Sequence, residues 1–172
     1  MNRRRLLTAL GGVGLTAGGA WVATNGLGDS AFSVTVETLD ARGSEKGSLR
    51  LPVDGGVTVL DLFATWCGPC EKQMESLAPV ATSYDEDVTF VSVTNERFGG
   101  SFTREYLRSW WRDHDGDWTL GHDPEGELMS AVGANGLPYL VVTAPDGSVT
   151  WQHGGVASES KLRGAIDAAL GR

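Results

Sequence analysis

Cysteine is scarce in this chain of 172 residues: there are two, Cys67 and Cys70. The absence of further thiols suits an oxidising compartment, where spare cysteines would form wrong disulfides. Lysine is also rare, with Lys46, Lys72 and Lys161 the only three. Acidic residues number 22 against 14 lysines and arginines, a formal charge of −8. Such a surface repels a phosphate backbone, which argues against nucleic acid as a partner. Scarce lysine, abundant acid and 24 glycines resemble the composition of proteins from salt-loving organisms, which stay soluble by charge. Met74 and Met129 are too few for a methionine-rich metal site. No internal repeat is present.

Charge is missing altogether between Arg5 and Asp29. This run of 23 residues would span about 34 Å as a helix, enough to cross a bilayer. Arg3, Arg4 and Arg5 precede Leu6 and Leu7, the pattern of a twin-arginine export signal. Gly11, Gly12, Gly14, Gly18 and Gly19 make a buried helix of a globular domain a poor alternative. No A-x-A cleavage site stands out, so both an uncleaved anchor and a released domain fit. Residues 1–28 are therefore read as a signal or membrane anchor, and residues 29–172 as one extracytoplasmic domain of formal charge −11.

What is present centres on the two cysteines. Residues 57–63 form an apolar run interrupted by Asp61, the pattern of a strand buried on both faces. From Gly68 the apolar positions shift to helical spacing: Met74, Leu77, Val80, Ala81 and Tyr84. Cys67 thus falls at a helix N-terminus, where free N–H groups and the macrodipole favour a thiolate. Pro69 suits the first turn because it has no N–H to lose. Half a zinc site is a competing reading, but His114, His122 and His153 lie at the wrong spacings to complete it. A structural disulfide is another, although so tight a loop constrains the unfolded chain little. Disulfide exchange is the chemistry this arrangement favours.

The rest of the domain reads as strands at 32–39 and 48–51, the strand at 57–63, and a helix from 68 to about 84. Then come a strand at 88–93, a loop at 95–101, and helices at 102–113 and 124–132 with Asp123 as N-cap. Strands at 139–143 and 148–152 flank the turn Pro145-Asp146-Gly147, and Ser158 caps a last helix bearing Leu162, Ile166 and Leu170.

Trp66-Cys67-Gly68-Pro69-Cys70, with Asp61 six residues before Cys67, closely resembles the thioredoxin active site. The additional early strands and the helical insertion at about 96–132 resemble the extracytoplasmic TlpA/ResA-type branch of the thioredoxin-like superfamily. The resemblance spans about residues 32–170. It implies an α/β thioredoxin fold, a central mixed sheet flanked by helices, with extra N-terminal strands. It also implies a cis Leu137–Pro138 bond facing the cysteines, and a substrate-facing loop at Gly155.

The same resemblance implies roles. Cys67 would form a mixed disulfide with a protein partner and Cys70 would resolve it. Asp61 would accept the proton near Cys70, its pKa raised by burial. Trp66, Gly68, Pro69, Leu137, Pro138 and Gly155 would contact an extended substrate segment. The redox group is the Cys67–Cys70 pair itself, with no metal or other cofactor. Several positions depart from the pattern: Gln73 stands where relatives often carry glutamate, Glu75 where they carry proline, and Ser92 where thioredoxins place the lysine that partners the aspartate.

The expected function is an exported, monomeric thiol–disulfide oxidoreductase acting on protein disulfides. Its direction would be reductive, as in cytochrome c maturation or disulfide repair, fed by a membrane thiol relay. A disulfide-donating oxidase and a non-catalytic client-binding module are the alternatives. A thiol peroxidase would place threonine where Ala64 stands. Elsewhere the reading is plainer. Trp110 and Trp111 are adjacent on a helix, so one should be buried and the other half-exposed. His114 and His122 should be solvated, and His153 could approach the cysteines. The Asp113–Asp117 run should be a solvated acidic loop without an EF-hand pattern.

Overall fold

The computed structural model describes residues 32–172; the signal expected at 1–28 lies outside them. Eleven elements follow in order: β1 (Val34–Thr38), β2 (Gly47–Leu51), β3 (Val57–Phe63), α1 (Gly68–Ala81), β4 (Val88–Thr94), α2 (Arg104–Asp113), β5 (Thr119–His122), α3 (Glu127–Ala131), β6 (Tyr139–Thr143), β7 (Val149–Gly154) and α4 (Glu159–Ala169). One mixed sheet runs β2-β1-β5-β4-β3-β6-β7. β3, β4 and β5 are parallel, β6 and β7 add antiparallel at one side, and the β1–β2 hairpin adds antiparallel to β5 at the other. This is the thioredoxin fold with extra N-terminal strands.

β3 is an interior strand between β4 and β6, and all seven of its residues are buried. Alternation along the strand divides them between two cores. Val57, Val59 and Phe63 join Cys67, Cys70, Met74 and Leu77 of the α1 segment, Leu107, Trp110 and Trp111 of α2, and Leu162 and Ile166 of α4. Leu60 and Leu62 face the other way, with Val36, Val91, Val93, Val141 and Leu128. Asp61 alternates with Val59 and Phe63, so it lies on the face that carries the cysteines.

β5 differs from the expectation. The segment Thr119–His122 reads as loop in sequence, with only Leu120 strongly apolar, yet it pairs with β4 on one side and β1 on the other. Two flanking ladders supply the backbone partners that its composition does not advertise. α3 is likewise shorter than the helix expected over 124–132. Gly126, in the left-handed conformation, occupies its N-cap position. Asp123 contributes from further back, its Oδ2 accepting from Leu128 N at 2.8 Å. α1 ends at Ala81, not Tyr84; Tyr84 instead donates its hydroxyl to Asp167 Oδ1 at 2.9 Å, tying the exit of α1 to α4.

Both tryptophans of α2 are buried, which corrects the expectation of one half-exposed ring. Trp110 stacks on Phe63 at 5.0 Å between centroids, and His114 covers its other side at 4.2 Å. Trp111 turns under the 41–44 and 113–118 loops, donates Nε1–H to Arg42 O at 2.9 Å and meets Trp118 edge-on. The loops thus cover the helix on a second side. His122 is buried rather than solvated, because β5 is an interior strand. Its Nε2 lies 2.8 Å from Glu96 O and its Nδ1 3.5 Å from Glu37 Oε2. His114 is half-buried, with Nδ1 2.8 Å from Trp110 O.

Candidate active site

β3 delivers the chain to the cysteines. Its last residue, Phe63, pairs with Thr94, so β3 and β4 end together and release the loops 64–67 and 95–101 at one edge. Cys67 is the N-cap of α1, with extended backbone (φ −92°, ψ 98°), and its Sγ accepts from Cys70 N at 3.3 Å. Pro69 sits in the first turn, where no N–H is missed. Cys67 and Cys70 form a disulfide, with Cα atoms 5.2 Å apart. Cys67 is 5 % exposed and Cys70 1 %, so the outer sulfur is the one at the helix tip. Reduction there would leave a thiolate facing free amides and the positive end of the helix dipole.

The flanking residues differ in exposure. Trp66 is 74 % exposed, and Gly68 and Pro69 are exposed beside it. The Leu137–Pro138 peptide is cis. Tyr139 pairs with Leu62, so Pro138 lies at the edge where β3 turns toward Cys67. Leu137 packs against the cluster that contains both cysteines. Gly155 joins them: its N–H donates to Pro138 O at 2.9 Å, and its φ of +86° is one that favours glycine. His153 turns elsewhere, stacked on Trp151 with Nε2 3.3 Å from Val156 O.

Asp61 is 2 % exposed. Burial in this apolar surround pushes its pKa up to about 7, against a lowering by the Ser92 hydroxyl, which donates to Oδ2 at 2.9 Å. Ser92 pairs with Asp61 across β3 and β4, as expected for the position of a partner residue. Trp118 Nε1–H donates to Ser92 Oγ at 3.0 Å. A carboxyl buried without a cation and poised near neutrality can take up or release a proton at physiological pH.

Gln73 fills the family's glutamate position and is fully buried. Glu96 was not singled out by any motif. Its carboxylate accepts from Thr65 N at 2.7 Å, from Thr65 Oγ1 at 3.0 Å and from Thr94 Oγ1 at 3.2 Å, and so fixes the chain one residue before Trp66. The only signal for it was positional: an acid just beyond the end of β4, at the same sheet edge as Thr65. Among the described residues no group of three or more His, Cys, Asp and Glu side chains is arranged to hold a metal ion.

Comparison with known proteins is consistent with this geometry. A thiol:disulfide interchange protein CycY from Rhizobium leguminosarum bv. viciae is 22% identical over 129 residues, covering 70% of this chain and 63% of that protein. A chloroplastic thioredoxin-like protein CITRX from Oryza sativa subsp. indica is 25% identical over 103 residues, covering 60% of this chain. The chain spans less than two thirds of either relative, 38% in the second case. Two structures share the fold: a candidate thiol:disulfide interchange protein DsbE from Chlorobium tepidum (TM-score 0.69, 24% identity, 84% of this chain, 98% of that one) and StoA from Bacillus subtilis (TM-score 0.63, 17% identity, 78% and 98%). The Redoxin family model matches residues 27–167, and the chain belongs to that family.

Proposed function

We propose that this protein is an exported thiol–disulfide oxidoreductase that reduces protein disulfides. The observation that carries the reading is the Cys67–Cys70 disulfide at the tip of α1, with Asp61 buried on the same face of the sheet. In the dithiol form, the Cys67 thiolate attacks a partner disulfide, forms a mixed disulfide and expels one partner thiolate. Cys70 then loses its proton to Asp61 and attacks Cys67 Sγ, expelling the second partner thiolate. Two electrons pass to the partner and the Cys67–Cys70 disulfide is restored. A donor dithiol, here a membrane thiol relay, returns the pair to the reduced state.

A polypeptide partner is favoured by what surrounds the disulfide. Among the described residues, the large apolar side chains left exposed are Trp66, Tyr106 and Val156. Trp66 and Tyr106 line one groove with Phe102 and Glu96, about 450 Å³ in volume. Val156 follows Gly155 on the loop bonded to Pro138. Exposed aromatic and aliphatic anchors around a reactive centre suit a docking chain better than a small thiol. The Leu137 backbone, beside the cis proline, is offered for pairing with an extended segment. Cytochrome c maturation and repair of wrong disulfides are the reductive roles we assign to this site. The arginine triplet and uncharged run of residues 1–28 support export, and the acidic composition supports a high-salt habitat.

Dithiothreitol-driven insulin reduction by residues 29–172 should be fast and should vanish in Cys67→Ser. Equal activity in that variant would remove the enzyme. Equilibration with glutathione then gives the direction: a potential well below that of glutathione marks a reductant, and one well above it a disulfide donor.

A further inference from the structure

The parallel register of β3 and β4 places Asp61 and Ser92 side by side on the face beneath α1. Trp118, immediately before β5, completes the row. Trp118 Nε1–H donates to Ser92 Oγ at 3.0 Å, and Ser92 Oγ–H donates to Asp61 Oδ2 at 2.9 Å. Asp61 Oδ1, fully buried, has no protein donor or acceptor. The surround is otherwise apolar. Leu140 flanks Asp61 on β6, α4 presents Leu162, Ala165 and Ile166, and α2 presents Leu107, Trp110 and Trp111. The titratable groups that α1 brings to this face are the cysteines.

This chain of bonds has a fixed direction. An indole N–H can only donate, so Trp118 occupies the acceptor side of Ser92. The single Ser92 hydrogen is then committed to Oδ2. Were the proton of neutral Asp61 to sit on Oδ2 instead, Ser92 would have to accept from two donors and leave its own buried O–H without a partner, which is costly. Trp118 is itself held in place. Its ring meets Trp111 edge-on at 4.9 Å, and its backbone passes so close to Gly43 that a Cβ there would lie 2.4 Å from Trp118 N.

We infer that Trp118 and Ser92 are positioning residues that restrict the exchangeable proton of Asp61 to Oδ1. The aspartate then works through one oxygen, while the other stays tied to the sheet. Ser92 stands at the position where thioredoxins place a lysine, and, held by Trp118, supplies a neutral donor in place of a cation. The inference rests on the reading of Asp61 as proton acceptor for Cys70.

The test uses the full chain in its disulfide form, so that no thiol titrates alongside Asp61. Carbon-13 NMR of labelled aspartate follows the Asp61 carboxyl with pH. Infrared difference spectra follow the C=O stretch of its neutral form. Wild type should titrate near pH 7 with a single C=O band. Ser92→Ala should raise the midpoint by about one to two units, the worth of one hydrogen bond to a carboxylate, and Ser92→Thr should restore it. Trp118→Phe keeps an aromatic ring but removes the N–H that fixes the orientation of the Ser92 hydroxyl; once that hydroxyl can rotate away from Oδ2, a second C=O band should appear as the proton gains access to that oxygen. An unmoved midpoint in Ser92→Ala, or an unchanged single band in Trp118→Phe, overturns the inference. The underlying reading fails separately: Asp61→Asn would leave the pH dependence of mixed-disulfide resolution as in wild type.

Discussion

Gln73, buried in the middle of the cysteine helix, holds both backbone groups of Ala157. Its Oε1 accepts from Ala157 N at 2.7 Å, and its Nε2 donates to Ala157 O at 3.3 Å. The side chain bridges α1 to the loop that carries Gly155 and leads into α4. An amide suits this place because it offers one acceptor and one donor to a residue whose N–H and C=O are the complement. A glutamate would satisfy only the N–H and would set a carboxylate oxygen against the Ala157 carbonyl.

Gln73→Ala should therefore cost about 2–4 kcal/mol, since it leaves a buried N–H and C=O unpaired. Gln73→Glu should be less destabilising at pH 4 than at pH 8, because only the protonated acid can donate to the carbonyl. Urea unfolding at the two pH values measures both.

Asp61 makes stability depend on pH with a definite sign. Its folded pKa of about 7 lies above the unfolded value, so the native state holds a proton that the unfolded chain releases. The contribution is complete below about pH 4 and is lost as pH rises toward 7, at about 1.4 kcal/mol per unit, after which it levels off. Asp61→Asn lacks this loss. The stability difference between the two proteins, followed by urea unfolding from pH 5 to pH 8, should grow in favour of the variant and then plateau.

Glu96 should matter to catalysis without touching a partner. Glu96→Ala leaves the Thr65 N–H and hydroxyl without their acceptor. Insulin reduction should fall about tenfold, and stability by about 1–3 kcal/mol. Glu96→Gln, which keeps one acceptor oxygen, should recover part of both.

Two glycines with the same backbone handedness should respond unequally. Gly43 (φ +71°) lies against the 113–118 loop, and a Cβ there would meet Asp117 C at 2.2 Å. Gly55 (φ +80°) has open space around it. Gly55→Ala should cost about 1–2 kcal/mol, the left-handed strain alone. Gly43→Ala should cost well over that and shift the fluorescence of Trp118, whose N lies 2.4 Å from the same Cβ position. Thermal melts and emission spectra of the two variants compare them directly.

Substrate trapping checks the order of attack. Cys70→Ser should accumulate mixed disulfides through Cys67, while Cys67→Ser should trap nothing. Non-reducing gels of the two variants incubated with a scrambled disulfide protein read this out.

Much of the site was legible because its signals are local. The switch from an apolar run to helical spacing located Cys67 at a helix tip, and Asp61 stood out as an acid inside that run. The features that local sequence does not reveal depend on neighbours distant in the chain. Thr119–His122 has too little apolar periodicity to read as a strand, and becomes one because β4 and β1 flank it. His122 is buried for the same reason. Trp110 and Trp111 are both buried because separate surfaces, Phe63 on one side and the 41–44 loop on the other, reach the same helix. Glu96 acquires its role only because β3 and β4 end in register.

By itself the sequence determined the redox pair, the helix that polarises it, the buried strand before it and the acid within it, since period, capping and residue type act over a few neighbours. Tertiary structure alone decided which hydroxyl and indole meet Asp61, which amide Gln73 grips and which loop Glu96 steadies. Those contacts join residues 26 to 84 positions apart, and no local preference of the backbone encodes them.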